Sequence, residues 1–291
     1  MLKGSYVALV TPFKNNDIDY NALENLLDFH LKNNTDGILF CGTTGESPSL
    51  AGDEKERLVQ FGLKKINKQK PVMMGTGTNN LYHTISATIK AQEWGVDYAL
   101  VITPYYNKPT QAGMYHYFKA VVENTDIPIV IYNVPGRTGV NIDADTTIKL
   151  ANEFKSIVGI KEASGDLVQL SKIVKYTDED FSVMSGEDAL NLPIMCCGGK
   201  GAISVTANIV PQKVHDLVDL CIKREYDKAL EIHKELIELN NAMFIETNPI
   251  PVKESLHLMG MIENELRLPL YYLKDENLEK LKRILKSYKL I

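Results

Sequence analysis

A lysine closes the apolar run in the stretch SIVGIKEASGD, residues 156–166, and this Lys161 is costly to bury as a lone ammonium. Burial disfavours the charged form of a lysine, and a neutral amine can attack a carbonyl carbon to form a Schiff base. The alternative is structural: the side chain reaches the solvent or pairs with the adjacent Glu162. The stretch alone leaves both interpretations open.

The stretch GTTGE, residues 42–46, places Thr43 and Thr44 between two glycines. Successive backbone N–H groups in such a turn can hold a carboxylate, which favours a 2-oxo acid as the ligand. An ordinary turn with Glu46 near a helix start is the alternative for this motif.

Tyrosines and an arginine follow other apolar runs. Tyr132 ends the run IPIVIYNVP, where its phenol could relay protons, and Arg137 in PGRTG suits a second carboxylate. In TPYYNKP, Tyr105 and Tyr106 should point in different directions if the chain is extended, so one could serve the site and the other an interface. The alternatives are packing for the tyrosines and a solvated loop position for the arginine.

These motifs follow β-rich runs that alternate with stretches of helical spacing. The eight runs are YVALVTP from Tyr6, GILFCG from Gly37, PVMMGTG from Pro71, YALVITP from Tyr98, IPIVIYNVP from Ile127, IVGIKEAS from Ile157, FSVMSGED from Phe181 and GAISVTAN from Gly201. Continuous apolar runs are typical of parallel strands covered by helices on both faces. The pattern therefore predicts an α/β fold, a (β/α)8 TIM barrel whose active site lies at the carboxyl ends of the strands.

A doubly wound open sheet is the rival fold, but LVTPFKNND after the first strand lacks the glycines of a dinucleotide-binding turn. After about residue 210 the pattern becomes helical only. We expect residues 1–223 to form the catalytic barrel and residues 224–291 a C-terminal helical appendage. The segment TNPIPVKESLHLMG is predicted to break the helices there.

The composition excludes several classes of protein. With 44% hydrophobic and 24% charged residues the chain is an ordinary globular one, and its net charge of -5 with no basic run argues against a nucleic-acid partner. Four scattered cysteines and six single histidines favour neither a disulfide framework nor a zinc site. No segment resembles a signal peptide or a membrane span, so we expect a cytoplasmic protein without a membrane partner.

Taken together, GTTGES, TPYYNKP, YNVPGRTG, GIKEASGD, SGED and GAISVTAN resemble the signature of the dihydrodipicolinate synthase family. That family belongs to the pyruvate-dependent class I aldolases, with N-acetylneuraminate lyase. The resemblance covers nearly the whole chain with order and spacing kept. It implies a synthase of the diaminopimelate and lysine pathway that needs no metal or organic cofactor.

The resemblance also implies a mechanism and its residues. Pyruvate forms a Schiff base with Lys161, becomes an enamine and attacks the aldehyde of L-aspartate 4-semialdehyde. Tyr132 matches the proton-relay tyrosine, Thr44 the threonine linked to it, and Tyr106 a tyrosine donated across a tight dimer. The remaining matched positions are Thr43 and Thr44 for the pyruvate carboxylate, Arg137 for the semialdehyde carboxylate, and Gly186 and Ile203 for the lining of the site. The expected assembly is a homotetramer of two tight dimers.

The positions of the family's lysine-inhibition pocket differ here. They are Gly52, Lys55 and His83, although Ser47, Asn79 and Tyr105 match. A cation at Lys55 should repel a lysine ligand, which predicts weak or absent feedback inhibition.

Two other functions remain alternatives at this stage. One is a related aldolase that cleaves a sugar acid or sialic acid, and the other is a non-catalytic barrel that binds pyruvate-like metabolites.

Overall fold

Eight parallel strands close into a barrel in the computed structural model, which describes all 291 residues. The barrel strands are β1 (Gly4–Ala8), β4 (Gly37–Phe40), β5 (Val72–Gly75), β6 (Tyr98–Ile102), β7 (Ile129–Asn133), β8 (Ile157–Glu162), β9 (Ser182–Ser185) and β10 (Gly201–Ser204). Neighbours around the barrel run β1, β10, β9, β8, β7, β6, β5 and β4, and β4 pairs again with β1. Each begins within about two residues of its predicted start, so the predicted barrel is confirmed.

The strands are apolar along their whole length because both of their faces are covered. Alternate residues point into the barrel, where Tyr6, Leu39, Tyr132, Met184 and Ile203 belong to one buried cluster. The other residues face the surrounding helices and form the larger core of 56 buried residues. The barrel is thus packed with side chains, and its upper end is left to the loops.

Helices alternate with the strands, and several begin at a side-chain cap. Asp19 and Asp166 each accept two backbone N–H groups in the first turn of the helix that follows. The helices that accompany the barrel are α1 (Tyr20–Lys32), α2 (Gly52–Ile66), α3 (Leu81–Trp94), α4 (Gln111–Glu123), α5 (Pro135–Thr138), α6 (Ala144–Glu153), α7 (Leu167–Tyr176), α8 (Asn191–Cys196) and α9 (Pro211–Ile222). A separate hairpin joins β2 (Phe13–Lys14) to β3 (Asp17–Ile18).

Three further helices follow the barrel: α10 (Tyr226–Ala242), α11 (Ile250–Leu258) and α12 (Asp275–Ser287). The chain does break after α10 as predicted, but α11 then forms within the proline-rich segment. Its Pro251 lies in the first turn, where a proline breaks no helical hydrogen bond. Every residue from Ile250 to Leu256 is buried, so α11 packs firmly against the rest of the protein. The boundary at residue 223 stays a prediction.

None of the helices combines the length and the apolar character that a bilayer crossing would require.

Candidate active site

Lys161 lies near the carboxyl end of β8, directly beside Tyr132 of β7 in the register of the two strands. Only 5% of the lysine is exposed, and its Nζ lies 4.5 Å from the centroid of the Tyr132 ring. The side chain lines a cavity of about 440 Å³ at this end of the barrel and forms no ion pair. The side chain is therefore a buried amine that faces open space.

Glu162, the next residue, points to the opposite face of the strand. Its carboxylate accepts hydrogen bonds from the amide of Asn133 at 3.1 Å, the backbone N–H of Ser164 at 2.7 Å and the amide of Gln169 at 3.1 Å. The structural alternative for Lys161, a pair with Glu162, is thus wrong. Glu162 instead fixes the loop after β8 to the end of β7.

The loop after β4 carries Thr43 and Thr44 into the cavity. The turn is closed by the N–H groups of Gly45, Glu46 and Ser47, which donate to carbonyls within the loop. The backbone N–H groups of Thr43 and Thr44 donate to no acceptor within the protein. Two free donors at a cavity wall can hold a carboxylate, as the motif predicted.

Two contacts from beneath hold this loop. The hydroxyl of Thr11 donates to the carbonyl of Gly45 at 2.7 Å, and Lys253 of α11 pairs with Glu46 at 2.6 Å. Glu46 has a left-handed backbone conformation, with φ of 53°, which residues other than glycine seldom adopt. Glu46 does lie at a helix start, since the 3-10 helix Ser47–Ser49 follows it, but its buried carboxylate makes no capping hydrogen bond there.

Arg137 lies in the short helix α5 at the rim of the cavity. One terminal nitrogen donates to the backbone carbonyl of Asn248 at 3.0 Å. The residue is exposed, so the other N–H groups of the guanidinium are available to an anion in the cavity.

Carboxylates follow β9 in the SGED motif. Glu187 lines the cavity, where burial and then the neighbouring Asp188 raise its pKa while Lys161 opposes the shift. Asp188 points away and accepts the N–H groups of Val205 at 2.8 Å and Thr206 at 3.0 Å. The cavity therefore has a carboxylate as well as a guanidinium on its walls.

The structure brings six of the predicted site residues to one cavity: Lys161, Tyr132, Thr43, Thr44, Arg137 and Gly186. The side chain of Ile203 is buried inside the barrel, and Val205, two residues on, lines the cavity; the lining role of Ile203 stays a prediction. Tyr106 is also elsewhere, since it is 88% exposed in a loop where its own φ is 69°.

Sequence reasoning missed the part of the wall that comes from the C-terminal segment. The residues there are Phe244, Glu246, Thr247 and Asn248. They lie between α10 and α11, without periodic pattern, and nothing in their spacing pointed to the barrel. Glu187 could have been found, because SGED ends a predicted strand at the same mouth.

The geometry agrees with comparisons to known proteins. The sequence model of the dihydrodipicolinate synthetase family matches residues 1–288 of the chain. The chain belongs to this family. The 4-hydroxy-tetrahydrodipicolinate synthase of Aquifex aeolicus is 49% identical over 290 residues, which is 100% of this chain and 99% of that protein.

Solved structures agree with this membership of the dihydrodipicolinate synthetase family. The crystal structure of dihydrodipicolinate synthase from Aquifex aeolicus has a TM-score of 0.98 and 48% identity, and 99% of each chain is covered. The chloride-inhibited dihydrodipicolinate synthase of Acinetobacter baumannii, in complex with pyruvate, has a TM-score of 0.98, 39% identity and full coverage of both chains.

No group of three or more histidine, cysteine, aspartate or glutamate side chains is arranged to hold a metal ion. The free cysteines are Cys41, Cys196, Cys197 and Cys221, and none of them lines the cavity of Lys161.

Proposed function

We propose that the protein is a 4-hydroxy-tetrahydrodipicolinate synthase, which condenses pyruvate with L-aspartate 4-semialdehyde through a Schiff base on Lys161. The observation that carries the proposal is a buried lysine without an ion-pair partner, facing a cavity with two free backbone N–H groups at Thr43 and Thr44. An amine and a carboxylate-binding turn in one cavity suit a 2-oxo acid. The chemistry proposed here uses no metal or organic cofactor.

Pyruvate binds with its carboxylate on the N–H groups of Thr43 and Thr44. The Nζ of Lys161 forms a bond to C2 of pyruvate, and the carbonyl oxygen leaves as water. Loss of a proton from C3 then gives the enamine. Tyr132, whose ring lies beside Nζ, is the group positioned to move these protons, with Thr44 as its neighbour in the cavity.

The second substrate occupies the outer part of the cavity. Its carboxylate binds Arg137, and its ammonium faces Glu187. The enamine carbon C3 attacks the aldehyde carbon, whose oxygen takes up a proton. The ammonium of the adduct loses a proton, and the resulting amino group attacks C2, closes the ring and releases Lys161 as the free amine. Support for this placement comes from the opposite charges of the two side chains on one wall.

Tyr106 belongs to the proposal through a second copy of the chain. Its exposed phenol lies outside its own cavity and is free to enter that of a neighbour in a tight dimer, and two such dimers form the proposed tetramer. A cytoplasmic location is proposed with this function.

Borohydride trapping tests the proposed chemistry. Pyruvate and borohydride should add one reduced pyruvyl group to the intact protein, and peptide mapping should find it on Lys161. A coupled assay with L-aspartate 4-semialdehyde then tests the acceptor. An unchanged mass would remove the Schiff base and leave a barrel that only binds pyruvate-like metabolites.

Arg137→Ala tests the role of the guanidinium. We expect a higher KM for the semialdehyde and little change in the KM for pyruvate, because only the former is proposed to touch Arg137. An equal rise in both KM values would contradict this assignment.

Sugar acids offered to the wild-type protein should not be cleaved at a rate comparable to the condensation.

Weak inhibition by lysine is part of the proposal. Lys55, Ser47 and Tyr105 line a second cavity of about 160 Å³, which shares Thr43 and Tyr132 with the first. The Lys55 ammonium should repel a cationic ligand there. Clear inhibition by millimolar L-lysine would overturn this expectation.

A further inference from the structure

Asn248, from the segment between α10 and α11, contacts Thr44 inside the cavity. Its amide Nδ2 donates to the Thr44 hydroxyl oxygen at 3.0 Å, across 204 positions of the sequence. Asn248 is 5% exposed and Thr44 is 2% exposed. The bond is therefore shielded from water. Its direction decides whether the hydrogen of the Thr44 hydroxyl is used in this bond or left free.

The direction of this bond follows from the surroundings of the amide. The Oδ1 of Asn248 is buried and has no partner. If the Asn248 amide were turned so that Oδ1 and Nδ2 exchanged positions, Oδ1 would accept from Thr44. Both hydrogens of Nδ2 would then lie where Oδ1 lies now, without acceptors. Buried N–H groups without acceptors are rarer than underused carbonyl oxygens. Asn248 is thus the donor, and the Thr44 oxygen is the acceptor.

A threonine hydroxyl has one hydrogen, and this geometry leaves that hydrogen free. The Thr44 oxygen already accepts from Asn248, and its hydrogen goes to no protein acceptor. We propose that Asn248 is a positioning residue that fixes the direction of proton transfer, by holding the Thr44 hydroxyl as a donor toward the cavity that Tyr132 also lines. This inference rests on the proposed function, since it assigns a direction to the relay of that site.

The same residue contacts Arg137, but with a different atom. The guanidinium binds the backbone carbonyl of Asn248, which a side-chain substitution leaves in place. Variants at position 248 can therefore change the contact with Thr44 while the contact with Arg137 is kept.

Asn248→Asp reverses the bond at nearly constant shape. An ionised carboxylate can only accept, so it takes the Thr44 hydrogen away from the cavity. We expect kcat to fall by about 10²-fold or more at neutral pH, while pyruvate trapping on Lys161 persists. At acidic pH the protonated carboxyl can donate again, so the kcat ratio of variant to wild type should rise as the pH falls. A ratio independent of pH would overturn the proposal.

A double-mutant cycle with Thr44→Val tests whether Asn248 acts through Thr44. Asn248→Ala alone should lower kcat by about tenfold, the effect of one lost hydrogen bond. In the Thr44→Val background it should cost almost nothing more. Equal losses in both backgrounds would show that Asn248 acts on the substrate or on the fold, and the inference would fail. This arm stands even where the aspartate variant does not fold.

Asn240 offers a matched control within the chain. It is 3% exposed, donates to the carbonyl of Asp188 at 3.1 Å and also has an unpartnered Oδ1. Asn240→Ala and Asn240→Asp should lower stability without the acidic recovery of kcat.

The wild type separates the two proposals. If it does not trap pyruvate, the proposed function fails. If it traps pyruvate and condenses the substrates while the cycle shows no coupling, only the role of Asn248 fails.

Discussion

The chain buries two lysines, and their surroundings differ in one respect. Lys161 is 5% exposed and lies 4.5 Å from the centroid of the Tyr132 ring, while Lys253 is 0% exposed and lies 4.3 Å from that of Phe13. Both therefore lie over an aromatic ring. Only Lys253 forms an ion pair, since its Nζ is 2.6 Å from the Glu46 carboxylate.

The partner decides what each lysine can do. Burial lowers the pKa of Lys253, but the Glu46 carboxylate opposes that shift and occupies the amine. Lys253 does not line the active-site cavity, whereas Lys161 faces the space where a substrate would bind. Burial alone therefore does not designate a nucleophile. A free amine with access to a carbonyl compound is also required.

The largest expected effect is the loss of all trapping when Lys161 is replaced. Lys161→Ala should leave no borohydride-stable pyruvyl adduct, because the other buried amine is paired and enclosed. Intact mass and peptide mapping measure this. An adduct on Lys253, in either the variant or the wild type, would break the comparison, since it would make a paired lysine reactive.

Replacement of Lys253 should act on stability instead. Lys253→Met leaves the Glu46 carboxylate buried without a cation, and we expect the free energy of unfolding to fall by about 3–5 kcal/mol. Urea denaturation at fixed protein concentration measures it. Folded Lys253→Met protein should still form the pyruvyl adduct on Lys161.

The pairing itself is tested by Glu46→Gln added to Lys253→Met. A neutral amide needs no counter-charge and can still accept the N–H of Arg267, which now donates to Glu46 at 3.1 Å. The double variant should recover much of the lost stability. Strictly additive losses would show that the two side chains do not act as a pair.

Tyr132→Phe removes the phenol hydroxyl and places a phenylalanine ring beside Lys161, as Phe13 lies beside Lys253. Trapping should persist, because the amine and the ring stay in place. The rate of condensation should fall by about 10²–10⁴-fold, since the phenol is the proposed proton carrier. Single-turnover trapping and the coupled assay separate the two effects. Unchanged condensation would remove Tyr132 from the relay.

The same contrast explains what the sequence could predict. Strands buried on both faces give continuous apolar runs, so the sequence predicts all eight barrel strands. A lysine at the end of such a run is conspicuous, and for that reason the sequence points to Lys161. Lys253 lies in VKESLHLMG, where a lysine is ordinary for a helix, and its partner lies 207 residues away.

Distance along the chain also hid the C-terminal contribution to the site. Asn248 reaches Thr44 only because the segment before α11 packs against the GTTGE loop, and no local pattern encodes that packing. Tyr106 shows the converse. Its motif matches the family, but its side chain is exposed on the single chain, so its proposed role depends on a second copy.

The smallest effect concerns a second charge pair around Phe13. Arg267 lies 4.4 Å from the centroid of the Phe13 ring and forms two hydrogen bonds with Glu54, at 2.8 and 2.6 Å. The hydrogen bond to Arg267 lowers the pKa of Glu54 from its ordinary value of 4.5 to about 2. The folded-state pKa is thus below the unfolded one, so the pair stabilises the fold above pH 4.5 and this contribution is lost as the pH falls toward 2.

Glu54→Gln should therefore lower the free energy of unfolding by about 1 kcal/mol at neutral pH, since the pair is partly solvated, and by almost nothing near pH 2. Urea midpoints between pH 7 and pH 2 measure the difference. Asp53→Asn is the matched control, because its pair with Arg57 is 68% and 58% exposed and should contribute little at any pH. A difference between Glu54→Gln and wild type that stays constant with pH would mean that shape rather than charge holds this region. That result would weaken the comparison between the two regions, in which the paired charges near Phe13 stabilise the fold and the unpaired Lys161 beside Tyr132 serves the chemistry.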